Sequence, residues 1–341
     1  MDKIDLHAAA RAGSLASLPG GAITIERLIE RNAAGHTPLH AAARHGCLCD
    51  LPPGLLNAAL LAVRNDSGYT PLHQAALGGH LDQVPRELLT AEALHQASNA
   101  GYTVFHSAAG HGNLGQLPAG LLTPEVIGLR THLGNTLLHE AAEHGAIDRL
   151  PAGVVTAAGL LEKNISGETV FHVAALNGHF DQIPRELVTA AAFGERTNAG
   201  DTAIHAAAIA GHLEQIPAEF LTRGNLVAAS NSGFTPIHAA AETGQLSKLP
   251  AAVLTAELLL TRNDNGDTPL HAAAYEGHLD QVPPQLLTSE TLDVRNYDGI
   301  AVGRTALERG FADQIPLSCR PKPAGPIKRF LSRLGESRAP F

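Results

Sequence analysis

Histidine is the side chain with the most chemistry to offer in this sequence. There are 19 in 341 residues, and an imidazole can shuttle a proton near neutral pH or ligate a metal. Nine of them, His7, His40, His73, His106, His139, His172, His205, His238 and His271, are spaced 33 residues apart. One imidazole per unit makes a ladder, whereas a zinc site needs several ligands converging on one point, usually with Cys or carboxylates. From His40 onward each has a Thr three residues earlier, as in Thr70-Pro71-Leu72-His73-Gln74-Ala75-Ala76. A Thr capping a helix and a His three residues on can meet, so these imidazoles are expected to be structural. His80, His179, His212 and His278 share another register, just after a Gly, and are expected to pack or cap. Cys47, Cys49 and Cys319 have neither disulfide-framework nor C-x-x-C spacing, which fits free thiols in a reducing compartment. No G-x-S-x-G, H-E-x-x-H or G-x-x-x-x-G-K-[ST] is present. No catalytic, metal or cofactor residue is therefore assigned, and the chain is expected not to be an enzyme.

The elements that position these histidines repeat with them. Gly13, Gly46 and Gly79 open a series that runs at the same interval to Gly310. A fixed period of this length signals a stack of small units with a continuous core. One unit can be read over 65–97. Asn65-Asp66-Ser67-Gly68 is a turn, with Gly at a register held from Gly35 to Gly299 and a short polar residue three before it. Thr70 is the helix cap and Pro71 the first helical residue. Leu72, Ala75 and Ala76 form a narrow apolar face, and Gly79 ends the helix.

The second half of the unit is broken by a proline at one register, Pro19, Pro52, Pro85 and on to Pro316. Proline disfavours helix in the residue before it and lacks an amide donor. A short helical turn over 81–84, a break and a new start at Pro85 are predicted. A capping residue such as Thr90, Thr123 or Thr255 then predicts a third short helix, with Leu94, Ile127, Leu160, Leu226, Leu259 and Leu292 as its core contacts.

The T-P-L-H-x-A motif at this period resembles the ankyrin repeat over roughly residues 5 to 316. The resemblance implies an all-α, ankyrin-type helical solenoid with short inter-repeat turns or hairpins. It departs from the family in the interrupted second helix. The expected organisation is an array over 1–316 of about ten units, with caps at 1–20 and 297–316 whose outer faces are polar. A basic, Pro-rich tail follows over 317–341, in which residues 327–334 have the pattern of a short amphipathic helix.

The net charge is −9, with the tail near +5 and the remainder near −14. That balance argues against nucleic acid as the array's partner. No run approaches a membrane span and residues 1–5 hold no apolar signal region, so a cytoplasmic monomer is expected. Export by a signal-less route stays open.

What varies from unit to unit is the position after the turn Gly and the end of the first helix. In ankyrin proteins these registers line a concave, partner-gripping face. The resemblance therefore implies protein binding through Tyr69, Leu77, Tyr102, His111, Glu143, Glu168, Leu176, Asp201, Ile209, Phe234, Glu242, Asp267 and Tyr275. The expected role is a non-catalytic scaffold or adaptor. The rival readings are a host-directed effector or an enzyme built on the repeat surface, a metal binder using the non-motif histidines, and weak membrane contact by the tail.

Overall fold

Each repeat begins with a helix whose start is written into four residues. A computed structural model describes residues 4–320 of the chain; the tail pattern over 327–334 lies outside the described residues. In the helix Pro71–Gly78, Thr70 is extended (φ −100°, ψ 167°) and caps the backbone of His73, and Gly79 closes the helix at φ 77°. Equivalent helices are Pro38–His45, Val104–Gly110, Leu137–His144, Val170–Asn177, Ala203–Ala210, Pro236–Glu242 and Pro269–Glu276, flanked by Leu6–Arg11 and Val302–Arg309. Each packs against the next in chain order, giving an all-α solenoid. Close approach is possible because the facing residues are alanines, such as Ala75, Ala76, Ala108 and Ala109, all fully buried.

The outer layer is interrupted as the prolines require. Leu81–Gln83 makes one 3-10 turn, Val84 is extended ahead of Pro85, and Arg86–Leu88 makes a second. The third helix follows, Ala91–His95, with Thr90 accepting from the amide of Ala93 at 3.2 Å. Leu94, Leu160, Leu226, Leu259 and Leu292 are buried as its anchors. Ile127 is not: it is only partly buried, and Val126 fills the core in that unit. Pro124 begins that helix one residue after its Thr123 cap.

The units are joined by turns, not hairpins. Gly68 donates to Asn65 and the Asn65 amide to Tyr69, while the Asn65 side chain accepts from the amides of Ser67 and Tyr69. Among the described residues no strand forms, and one isolated bridge pairs Arg295 with Ala301. Close stacking also explains the second histidine series. A Cβ on Gly46, already at φ 74°, would stand 2.7 Å from the ring of His80 in the following unit.

The motif histidines tie unit to unit. Thr70 Oγ1 lies 2.8 Å from His73 Nδ1, and the Thr70 amide donates to the same nitrogen at 3.1 Å. An amide can only donate, so Nδ1 is the acceptor and the proton sits on Nε2. Nε2 then donates to the Tyr102 carbonyl, 29 residues on, at 2.9 Å. The Nε2 bond recurs from His40 to His271, with His106 alone reaching Leu129 in place of the residue after the turn Gly. The amide bond to Nδ1 recurs in all but His238, where the Thr235 hydroxyl meets Nδ1 at 2.7 Å. The imidazole must be neutral to do this. Burial holds His40, His73 and His106 down to about 4.

Replacing His73 by Ala strands the Thr70 amide in a buried setting and takes one of two donors from the Tyr102 carbonyl, which keeps the Ser98 amide. With about 1–3 kcal/mol for the orphaned amide and about 1 kcal/mol for the lost carbonyl bond, His73→Ala is expected to cost roughly 2–4 kcal/mol in urea unfolding followed by circular dichroism. A loss below about 1 kcal/mol would mean the ladder is not what couples the units.

The same burial sets a pH dependence. These pKa values are lower in the folded chain than in the unfolded one, so the unfolded state takes up protons first as pH drops. The stability is fully present above about 6.5 and is lost as pH falls toward 4. By linkage each of the three histidines costs roughly 2 kcal/mol at about pH 5 relative to neutral pH. Equal urea midpoints at the two pH values would show that the histidines do not carry this load.

Candidate functional site

The bond from seven of the motif histidines ends on the residue just after the next turn Gly, the exceptions being His7, which reaches Glu30, and His106. The carbonyls of Tyr69, Tyr102, Glu168, Asp201, Phe234 and Asp267 are the acceptors. Their backbone is therefore fixed by the scaffold, while their side chains are free to differ. The aromatic ones lie beside the histidine of their own unit. The Tyr69 ring is 5.2 Å from His73, Tyr102 is 6.1 Å from His106 and Phe234 is 5.3 Å from His238, with Tyr69 and Tyr102 themselves 6.4 Å apart. These rings are half-buried, leaning on the inner helices.

The thirteen residues singled out from sequence fall into three depressions along the inner-helix side of the stack. Tyr69, Leu77, Tyr102, His111 and Glu143 line one of about 200 Å³. Glu168, Leu176, Asp201 and Ile209 line one of about 550 Å³. Phe234, Glu242, Asp267 and Tyr275 line a third of about 430 Å³. Among the thirteen, the most exposed apolar side chains are Leu176, Ile209 and Tyr275, at 42%, 49% and 50% exposure. Tyr275 also carries the Arg309 guanidinium 3.9 Å above its ring, a cation–π contact.

The first depression is the most polar, and sequence reasoning missed its central residue. Glu140 is buried, with 2% of its surface exposed. Asn135 Nδ2 donates to its Oε1 at 3.0 Å, and Asn164 Nδ2 donates to Asn135 Oδ1 at 3.0 Å. Tyr102 is a further side-chain partner. Burial, with the nearby Glu143 charge adding to it, pushes the Glu140 carboxyl up to about 7 against the pull of the Asn135 bond. Burial and the Glu140 and Glu143 charges likewise raise the Tyr102 hydroxyl. His111 is held below its ordinary value by burial and by neighbouring His144, whose ring lies 5.2 Å away. The signal for Glu140 was available. The register just after the motif histidine is Ala41, Val173, Ala206, Ala239 and Ala272 elsewhere, but Gln74, Ser107 and Glu140 in three successive units.

Among the described residues, no helix is long and apolar enough to cross a membrane. Cys47 is buried, with its thiol 3.3 Å from the Ala10 carbonyl, while Cys49 is exposed and Cys319 partly so.

No curated protein matches the chain as a relative. Family models do match. The model for three tandem ankyrin repeats covers residues 138–216 and 171–253, and that for a single ankyrin repeat covers 67–100 and 265–296. These matches lie on units built with the same capped helix, the same histidine bond and the same left-handed Gly as their neighbours, and the chain belongs to the ankyrin-repeat family.

Proposed function

We propose that the chain is a non-catalytic scaffold or adaptor that holds a protein partner along the face of its inner helices. Ankyrin repeats are generally protein–protein interaction modules. The observation that carries the reading is the sorting of all thirteen variable-register residues into three depressions on that face. A rigid stack presents these groups without ordering them on binding, so contacts convert to affinity at little entropic cost.

The chemistry of the face suits a partner with apolar anchors and basic side chains. Leu176, Ile209 and Tyr275 supply exposed apolar area, and Glu143, Glu168, Asp201, Glu242 and Asp267 supply negative charge between them. Tyr, Trp and Arg are the commonest hot-spot residues, which favours Tyr275 as an anchor. Acidic clusters add steering and salt dependence.

The test uses the exposed members, whose substitution leaves the histidine ladder intact. A partner captured by the full chain is purified and its affinity compared with that for Leu176→Asp, Ile209→Asp and Tyr275→Ala, singly and together. Each hot-spot change is expected to weaken binding about tenfold or more. A partner bound equally by the triple variant, yet lost when residues 321–341 are removed, would move the function off this face.

A further inference from the structure

We propose that Glu140, Glu143 and His144 form a binding site for a divalent transition ion of the zinc class, with His111 of the preceding unit beside it. The proposal concerns the smallest of the three depressions and does not depend on what partner the face holds. Residues three and four apart project from one side of a helix. On the helix Leu137–His144 that spacing puts Glu140, Glu143 and His144 together, each offering one ligand atom, all within 4.8 Å of one another. Ligand atoms sharing a tetrahedral zinc stand roughly 3.4 Å apart, given bonds of about 2.0–2.1 Å. Glu143 is exposed, so rotation of its side chain covers the difference.

The ligands are already oriented. His144 Nδ1 donates to the Glu140 carbonyl at 3.0 Å. That bond puts the proton on Nδ1 and leaves Nε2 with a lone pair to offer, the usual tautomer of a metal-bound imidazole. The Asn164–Asn135–Glu140 chain of hydrogen bonds fixes one oxygen of the buried carboxyl.

A separate observation points to something missing from the same place. Among the described residues, two buried side-chain polar atoms lack a partner meeting hydrogen-bond geometry, Ser107 Oγ and His111 Nδ1; the imidazole still has the Ser107 backbone as a weak partner, so the hydroxyl carries the observation. Both residues line this depression with the three ligands, and Ser107 is only 4% exposed. Orphaned polar atoms are rare in folded chains and call for a bound water or ion. An ion at Glu140, with the waters it carries, supplies acceptors and donors for both. Mixed imidazole and carboxylate ligation selects zinc-class ions over the harder magnesium and calcium, which prefer all-oxygen sites. Three protein ligands leave a coordination position open to the groove.

The experiment is a titration of the full chain, stripped with chelator and desalted, with zinc chloride by isothermal calorimetry near neutral pH. Cobalt is the spectroscopic probe and magnesium the control. One equivalent of zinc is expected to bind, with no heat from magnesium and a visible cobalt absorption band. His144→Ala and Glu143→Gln are each expected to weaken zinc at least tenfold and to lose the cobalt band. Both side chains are exposed, and unchanged circular dichroism confirms that the variants fold. His212→Ala, at a histidine outside the cluster, is expected to leave the affinity unchanged. No zinc binding at millimolar ion overturns the proposal, as does binding that survives the Glu143→Gln/His144→Ala double variant.

Discussion

A neutral imidazole bonded at both ends is the interaction on which this structure depends. Nδ1 accepts from the threonine amide that precedes its own helix, and Nε2 donates to a carbonyl in the next unit, as with His73 between Thr70 and Tyr102. The first bond fixes the entry of the helix and the second fixes the distance to its neighbour. Both need the same tautomer, so a single proton placement sets local and inter-unit geometry together. Because a helix of about eight residues is marginal alone, the coupling is what makes each one persist. It also holds the turn backbone still, which is why the side chain at that carbonyl can change from Tyr to Glu to Phe without loosening the stack.

The outer layer solves a problem of its own. Breaking the second helix at proline leaves short 3-10 turns whose amides and carbonyls lack intrahelical partners. Glutamines at one register supply them. Gln83 accepts from the Leu48 amide and donates to the Gly46 carbonyl, both in the preceding unit. Gln116, Gln215 and Gln314 do the same. Where Arg149 replaces Gln, it bonds the Gly145 carbonyl of its own unit instead. Side-chain-to-backbone bonds thus take over part of what continuous helix packing does elsewhere.

Period, helix caps, proline breaks and the third short helix were legible in the sequence because each rests on residues close together in the chain. The Thr–His pairing was legible for the same reason. The partner of Nε2 was not, since it lies 29 residues on and is a carbonyl, which no residue type marks. The absence of hairpins among the described residues follows from the third helix occupying chain that a strand pair would need. Ile127 was misjudged because Val126, one residue earlier, takes the core position in that unit. The thirteen face residues could be picked by register, but their division into three depressions depends on how far each helix end and turn tip stand apart, a property of the stack.

Glu140 shows why regularity itself is informative. Its register is otherwise mostly alanine or valine, and a buried carboxyl there costs free energy unless its oxygens are bonded. The chain meets that cost with Asn135 and, behind it, Asn164, residues that belong to the turn registers of two successive units. A polar group, its support in the adjacent turns, and an unpartnered buried hydroxyl, Ser107 Oγ, occur together at one point of a repeating scaffold. Packing alone gives no reason for such a departure, because Val173 in the next unit and Ala41, Ala206, Ala239 and Ala272 elsewhere stack at this register without assistance. The arrangement makes physical sense only if the depression is built to hold something with charge, and the imidazoles of His144 and His111 at its rim narrow the kind of charge that fits.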